Sequence, residues 1–230
     1  MKLITHYSGS SGNLYQLKSG DASLLIEAGV TVKRIKHALD FCLSSVQGCL
    51  VSHAHLDHSC GVKDVMRAGI DCYMTQETAD ALGLDGHRLH IVEPMQQFKV
   101  GSWTAIPFQA HHDCPGAVGY LVSDGVEKLL FATDTFYVHY RFHGLNIVAV
   151  ECNYSPETIS PDCSPARKKR LYSSHMSLEN CIRLLKANDL SKVKEIHLIH
   201  MSRDNSDPAA FQKAVQQATG IATYIMEDHE

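Results

Sequence analysis

Short apolar runs, closed by polar residues and glycine, alternate with stretches of helical period along most of the chain. Lys2 to Tyr7 alternates weakly and reads as a first strand, Ser8-Gly9-Ser10-Ser11-Gly12-Asn13 as a turn, and Leu14 to Lys18 as the returning strand. Ala22 to Ala28 is a buried strand ending in Glu27-Ala28-Gly29, and Phe41 to Gln47 leads into a central apolar run, Cys49-Leu50-Val51. Further strands are read at Asp71 to Met74, in two pieces of Phe98 to Ala110 hinged near Gly101, and at Gly119 to Val122 and Leu129 to Ala132 around the turn Ser123-Asp124-Gly125. Asn146 to Val150, Lys194 to His200 and Ile221 to Met226 complete the strands.

Helical period marks Thr31 to Asp40, where Val32, Ile35 and Leu39 share a face, and Val62 to Ala68. Thr75 to Leu82 is a short helix with Thr75 placed to cap it and Glu77 in its first turn. Leu178 to Asn188 follows a capping Ser177, and Pro208 to Thr219 closes the helical set. Ser155 to Pro165 holds three of the seven prolines and reads as a loop. Strands and helices interleave with no repeat, low-complexity segment or linker, so residues 1–230 are expected to form one α/β domain.

Composition narrows the class. Hydrophobic content of 44% with 20% charged residues describes a globular chain with a substantial core. No apolar run approaches the roughly 18 residues of a membrane span, and the first residues carry no signal-peptide core. The eight cysteines form no C-x-x-C pair, which fits reduced thiols and a cytoplasmic location. A net charge of −4 lacks the basic balance of many nucleic-acid binders. Fifteen histidines, a high count for 230 residues, direct attention to metal chemistry.

The sharpest feature is G-C-L-V-S-H-A-H-L-D-H-S-C-G, residues 48–61. It places His53, His55, Asp57 and His58 within six positions, directly after an apolar strand. Imidazole and carboxylate ligands suit Zn²⁺, Mn²⁺ or iron. His53 and His55 are two apart and project to one side of an extended backbone, while Asp57 and His58 lie beyond, where the chain turns. Two ligands for one ion followed by two for a neighbour is the arithmetic of a two-metal site. A structural zinc site would usually bring cysteines at paired spacing, and only Cys60 is close.

This H-x-H-x-D-H motif resembles the signature of the metallo-β-lactamase superfamily, which implies a four-layer αββα sandwich of two mixed sheets with helices on the outer faces. The resemblance extends along the chain. Gln109-Ala110-His111-His112-Asp113 is similar to the family's third motif, with His112 the better match and His111 one register away. Asp134 in F-A-T-D-T matches a metal-bridging carboxylate, and His200 the histidine of the fifth motif. Glu27 stands where the family usually has aspartate as support for the metal histidines. Ser11 and Asn13 in G-S-S-G-N, the Glu151-Cys152-Asn153 strand end, and Ser174-His175-Met176-Ser177 resemble the YycJ (WalJ) exonuclease branch, with Ser174 in place of its usual glycine. The phosphodiesterase members of the superfamily, among them PhnP and ribonuclease Z, resemble the chain in a histidine at the place of His175.

The resemblance implies His53, His55, His112 and Asp134 around one divalent ion, and Asp57, His58, His200 and the same Asp134 around a second. Zinc, manganese or iron would serve, with a metal-bridging hydroxide as nucleophile. His175 and Asp57 are the candidate catalytic groups, His175 assisting the leaving oxygen. Glycine and serine in residues 8–13 can bring backbone N–H groups close to a phosphate, although a plain hairpin turn explains them as well. Arg167-Lys168-Lys169-Arg170 is the one dense basic run, and it lies shortly before His175. Ser11, Asn13, Asn153, Arg167 and Lys168 are accordingly expected to touch substrate. The expected activity is hydrolysis of a phosphodiester, in DNA, RNA or a small molecule. The alternative is a thioester or lactone hydrolase, whose branches lack the H-x-S element at His175.

Overall fold

The computed structural model describes residues 1–225; Met226, expected at the end of the last strand, lies outside them. The strands fall in two mixed sheets, of six and seven strands. By contact the described residues divide into two compact units, the first comprising Met1–Gln109 and Cys114–Val126, the second Ala110–Asp113 and 127–225.

The first unit opens with an antiparallel pair, β1 (Lys2–Tyr7) and β2 (Leu14–Ser19), joined by the serine–glycine turn. β3 (Ala22–Ile26) returns antiparallel to β2, and helix α1 (Val32–Ala38) carries the chain to β4 (Val46–Leu50), which runs parallel to β3. A single helical turn, α2 (Leu56–Ser59), and α3 (Val62–Arg67) precede β5 (Cys72–Met74). α4 (Gln76–Leu82) leads to β6 (Leu89–Ile91), and β4, β5 and β6 are parallel. Thr75 caps α4 through the Thr78 amide, as its sequence position predicts.

Leu25, Cys49, Val51, Val62, Val65 and Met74 lie in the core between this sheet and its helices. They are the apolar positions of the strand runs and of one helix face, so the periodicity directly specifies this packing. β7 (Phe98–Val100), β8 (Trp103–Gln109) and β9 (Val118–Ser123) form an antiparallel meander in the same unit. Two bonds tie it to the strand end after β4: Val118 N–H donates to the Ser52 carbonyl (3.0 Å) and the Tyr120 hydroxyl to Val51 (2.7 Å).

The second unit is a parallel run of β10 (Lys128–Ala132), β11 (Ile147–Glu151), β12 (Glu195–Ile199) and β13 (Ala222–Ile225). Three helices, α5 (Pro165–Ser174), α6 (Leu178–Ala187) and α7 (Pro208–Thr219), join or flank these strands. β11 is buried along its whole length, the pattern of a central parallel strand. Ser177 caps α6 through the Asn180 amide. α5 is a departure from the sequence reading: the basic run lies on a ten-residue helix begun by Ser164 and Pro165.

Candidate functional site

Each unit carries polar groups at the carboxyl ends of its parallel strands, the edge where such sheets place ligand sites. In the first unit the strand end after β4 leads through Ser52 to His53 and His55, and α2 then presents Asp57 and His58. His53 Nε2 and His55 Nδ1 are 3.0 Å apart. Adjacent donors on one tetrahedral zinc, with bonds of about 2.0–2.1 Å, sit about 3.3 Å apart, so this pair fits one ion.

The loop is held by residues far away in sequence. Asn13 is fully buried, its Nδ2 donates to the carbonyls of Gly9 and Asp57 (both 3.0 Å), and its Oδ1 accepts from Gly9 N–H (2.9 Å) and the Tyr15 hydroxyl (3.1 Å). Both amide atoms are committed, which corrects the expectation that Asn13 meets substrate: it positions the Asp57–His58 turn. Gly29 is equally constrained, because a Cβ there would overlap the Asp57 carbonyl. Ser11 alone of the expected turn contacts is exposed.

Glu27 follows β3, fully buried and at a φ of +67°. Non-glycine residues rarely adopt that conformation, which costs about 1–3 kcal/mol and clusters at functional sites. Its Oε2 accepts from Ser52 N–H (3.3 Å) and its Oε1 lies 3.5 Å from His58 Nδ1. A carboxylate near an imidazole Nδ1 can orient a metal-ligating histidine. Ser52 Oγ stands 2.8 Å from His53 Nδ1 in the same relation.

In the second unit β10, β11 and β12 end side by side, delivering Asp134, Glu151 and His200. Asp134 and His200 also have positive φ, +45° and +52°. Asp134, Glu151, His175 and His200 each offer a ligand atom, all within 4.8 Å of one another. His200 Nδ1 is 2.9 Å from Asp134 Oδ1 and 3.3 Å from Glu151 Oε1. His175 Nδ1 is 2.7 Å from Glu151 Oε1 and 3.2 Å from Asp134 Oδ1. Two buried carboxylates facing two imidazoles form a donor set suited to a divalent cation of borderline softness.

Glu151 was named in the sequence only as part of a strand-end motif, yet the second unit is built around it. Its Oε2 accepts the Thr135 and Met176 N–H groups, both at 3.0 Å, while Oε1 faces the two imidazoles. Burial would raise its pKa, but the charge of His175 and the hydrogen bonds from His175 and His200 outweigh burial and hold it below the usual carboxylate value. Burial would lower the pKa of His175, and Glu151 and Asp134 together reverse this, raising it to about 9. The geometry places its Nδ1 against Glu151 Oε1.

The chain also separates the two candidates of the third motif. His111 is exposed, with its ring edge-on to His139 at 4.9 Å. The His112 side chain is buried, its Nδ1 lies 2.9 Å from the Ser174 carbonyl and its Nε2 is 4.0 Å from Asp134 Oδ2. Asn153 Nδ2 donates to the His200 carbonyl at 2.8 Å and so fixes the strained His200 backbone. Arg167 pairs with Asp204 (3.1 Å) and Arg170 with Asp113 (2.6 Å), while Lys168 is half-buried on the same helix. His197, read as structural, is buried, faces Glu195 at 3.1 Å and stacks on Tyr224.

Comparison with known proteins matches residues 24–201 to the Beta-lactamase superfamily domain. The chain is 28% identical over 217 residues to the exodeoxyribonuclease WalJ of Streptococcus pneumoniae serotype 2, covering 86% of this chain and 81% of that protein. It is 26% identical over 229 residues to the exodeoxyribonuclease YycJ of Bacillus anthracis, covering 91% and 86%. Among solved structures, the metallo-beta-lactamase fold protein YhfI from Bacillus subtilis superposes with a TM-score of 0.74 at 15% identity, covering 99% of this chain and 97% of that one.

Proposed function

The chain belongs to the metallo-β-lactamase superfamily, and on that premise we propose that it is a dinuclear metal-dependent phosphodiesterase acting on polynucleotide. Residues 1–230 work as one catalytic domain in the cytoplasm. The family resemblance implies that His53, His55 and His112 with Asp134 would hold one ion, and Asp57, His58 and His200 with the same Asp134 would hold the other. Zinc and manganese both suit these donors. Such ions supply a nucleophilic water at neutral pH and charge to stabilise the attacking and leaving oxygens.

The protein's own groups do the rest. Ser52 and the Ser174 carbonyl engage Nδ1 of His53 and His112, and Glu27 stands 3.5 Å from Nδ1 of His58, so that each Nε2 points the other way. Asn13 and Asn153 hold the Asp57 turn and the His200 backbone in place.

The observation that carries the phosphodiester reading is the Glu151–His175 pair. A histidine whose Nδ1 is engaged by a buried carboxylate, next to Asp134, has its Nε2 left to give a proton to a departing alkoxide. Both curated relatives are named exodeoxyribonucleases, which supports DNA as the polymer.

A substrate panel tests the proposal. Manganese- or zinc-loaded protein is assayed on bis-p-nitrophenyl phosphate, single- and double-stranded DNA, RNA and a thioester. Diester hydrolysis is the expected result, and activity confined to the thioester would overturn the reading in favour of a thioesterase. His175→Ala is expected to keep its metal content and lose about 10²–10⁴-fold in turnover. Full activity in that variant would remove His175 from the mechanism.

A further inference from the structure

The segment after Asp134 has an unusual composition: Phe136, Tyr137, His139, Tyr140, Phe142 and His143 are six of the eight residues 136–143. Only part of it serves the core. Val138 and Phe142 are buried and anchor the loop, whereas Phe136, His139 and His143 are exposed and Tyr137 is half-buried. The rings of His111, His139 and Tyr137 form a row, with the exposed Phe136 beside Tyr137 in the chain. His139 meets His111 edge-on at 4.9 Å and Tyr137 edge-on at 5.2 Å, and the Arg183 guanidinium lies over the Tyr137 ring at 4.7 Å.

We infer that this row is a stacking platform for unpaired nucleobases, so that the protein takes single-stranded nucleic acid. The inference rests on the polynucleotide reading above and adds the element that would recognise the bases. Every base has a π-face, and aromatic rings with nearby cations bind single strands without reading sequence. Arg183 supplies a cation on the Tyr137 ring.

Two further features favour a ligand over a mere surface cluster. First, the platform backbone is fixed in advance. Phe136 N–H donates to the His111 carbonyl (2.9 Å), Asn180 Nδ2 donates to the Phe136 carbonyl (3.2 Å), and Thr135 Oγ1 both accepts from His111 N–H (2.9 Å) and donates to the Tyr137 carbonyl (3.0 Å). Thr135 N–H in turn donates to Glu151, the carboxylate that holds His175. A rigid aromatic surface loses little entropy on binding.

Second, three consecutive residues join this surface to the chemistry and to a basic helix. His111 touches the platform, His112 faces Asp134, and Asp113 pairs with Arg170 on α5, whose Lys168 and Lys169 supply further positive charge. Stacking rings on one side and cations on the other match the two components of a single strand, bases and phosphates.

The test compares binding to strands with and without bases. Metal-loaded full-length protein, stalled by His175→Ala, is titrated by fluorescence anisotropy with oligo-dT, oligo-U and an abasic deoxyribose phosphate strand of the same length. Base-containing strands are expected to bind at least roughly fivefold more tightly than the abasic one. Adding Phe136→Ala and His139→Ala should abolish that preference, while Phe136→Trp with His139→Phe should retain it. In the otherwise unaltered protein, the alanine pair should leave hydrolysis of methyl p-nitrophenyl phosphate unchanged.

Equal affinity for the abasic strand before substitution, or discrimination that survives the alanine pair, would overturn the platform. Loss of the preference with both the alanine and the aromatic pairs would also overturn it, because the effect would then be structural. Failure to hydrolyse any diester sinks the phosphodiesterase reading, and the binding comparison still decides the platform.

Discussion

Glu151 illustrates how much one buried carboxylate can organise. Replacing it by alanine leaves the Thr135 and Met176 N–H groups buried without their acceptor and strips His175 of its counter-charge. Breaking a buried, hydrogen-bonded ion pair on one side costs about 3–5 kcal/mol, so Glu151→Ala should shift the denaturant midpoint strongly; a shift under about 1 kcal/mol would contradict this account. Glu151→Gln keeps an oxygen for the backbone donors and should fold, yet it should lose turnover because a neutral amide does not hold the imidazolium. Glu27 acts through another residue. Glu27→Ala should weaken metal binding about 10–100-fold by freeing the His58 ring, with isothermal titration of zinc as the readout; unchanged affinity would remove Glu27 from the support of the ion. Glu27 was legible at its strand end, because a carboxylate closing an apolar run is costly unless paired. The role of Glu151 was not, since its partner His175 lies 24 residues away and only the folded sheet brings them together.

Among the elements, most strands were read to within a residue or two, because they are apolar runs ended by glycine or a polar turn, whereas the three-residue β6 was not. α5 was not, and its make-up explains why. Only Leu171 and Ser174 are buried along its length, so it carries almost no apolar stripe. The visible signal was its start, Ser164 before Pro165, with the Ser164 hydroxyl accepting from Arg167 N–H at 3.3 Å. α2 is a single turn, too short for any period to show. Its position depends on the close approach of Gly29, so Gly29→Ala should push the Asp57 carbonyl away. The expected cost is about 1–3 kcal/mol or more, together with lowered metal content on elemental analysis; a fully loaded, equally stable variant would show that the turn is not wedged in this way.

β12 carries a prediction for pH. Burial lowers the pKa of His197, and Glu195 only partly opposes this. An unfolded histidine takes up its proton near pH 6.5, while the folded one resists, so acidification through that value favours the unfolded chain. Stability should therefore fall as the pH drops below about 6.5, and His197→Phe, which keeps a ring against Tyr224, should flatten that part of the profile. An identical pH dependence in the variant would assign the titration to other groups.

For the molecule as a whole, the family, the two mixed sheets and the candidate ligands were legible because metal motifs are short and lie at strand ends. The supporting contacts of Asn13 and Asn153 were not, since an amide in a motif does not declare whether it faces a ligand or its own backbone. At the same scale, placing Glu27, Asp134 and His200 at positive φ and burying Glu151 with Asp134 all cost folding free energy. Divalent ions that bind only the folded chain would offset those costs through mass action, by about 2.7 kcal/mol at a free concentration one hundred times the dissociation constant. The melting temperature should accordingly rise with added zinc or manganese and fall on chelation, and the shift should track the logarithm of free metal concentration. Asp134→Asn, which removes the charge of the proposed shared ligand, should shrink that response, whereas Phe136→Ala should leave it intact. A melting temperature indifferent to metal and chelator would mean that the strained strand ends are stabilised by the protein alone, and the metal-centre assignment would then fail with it.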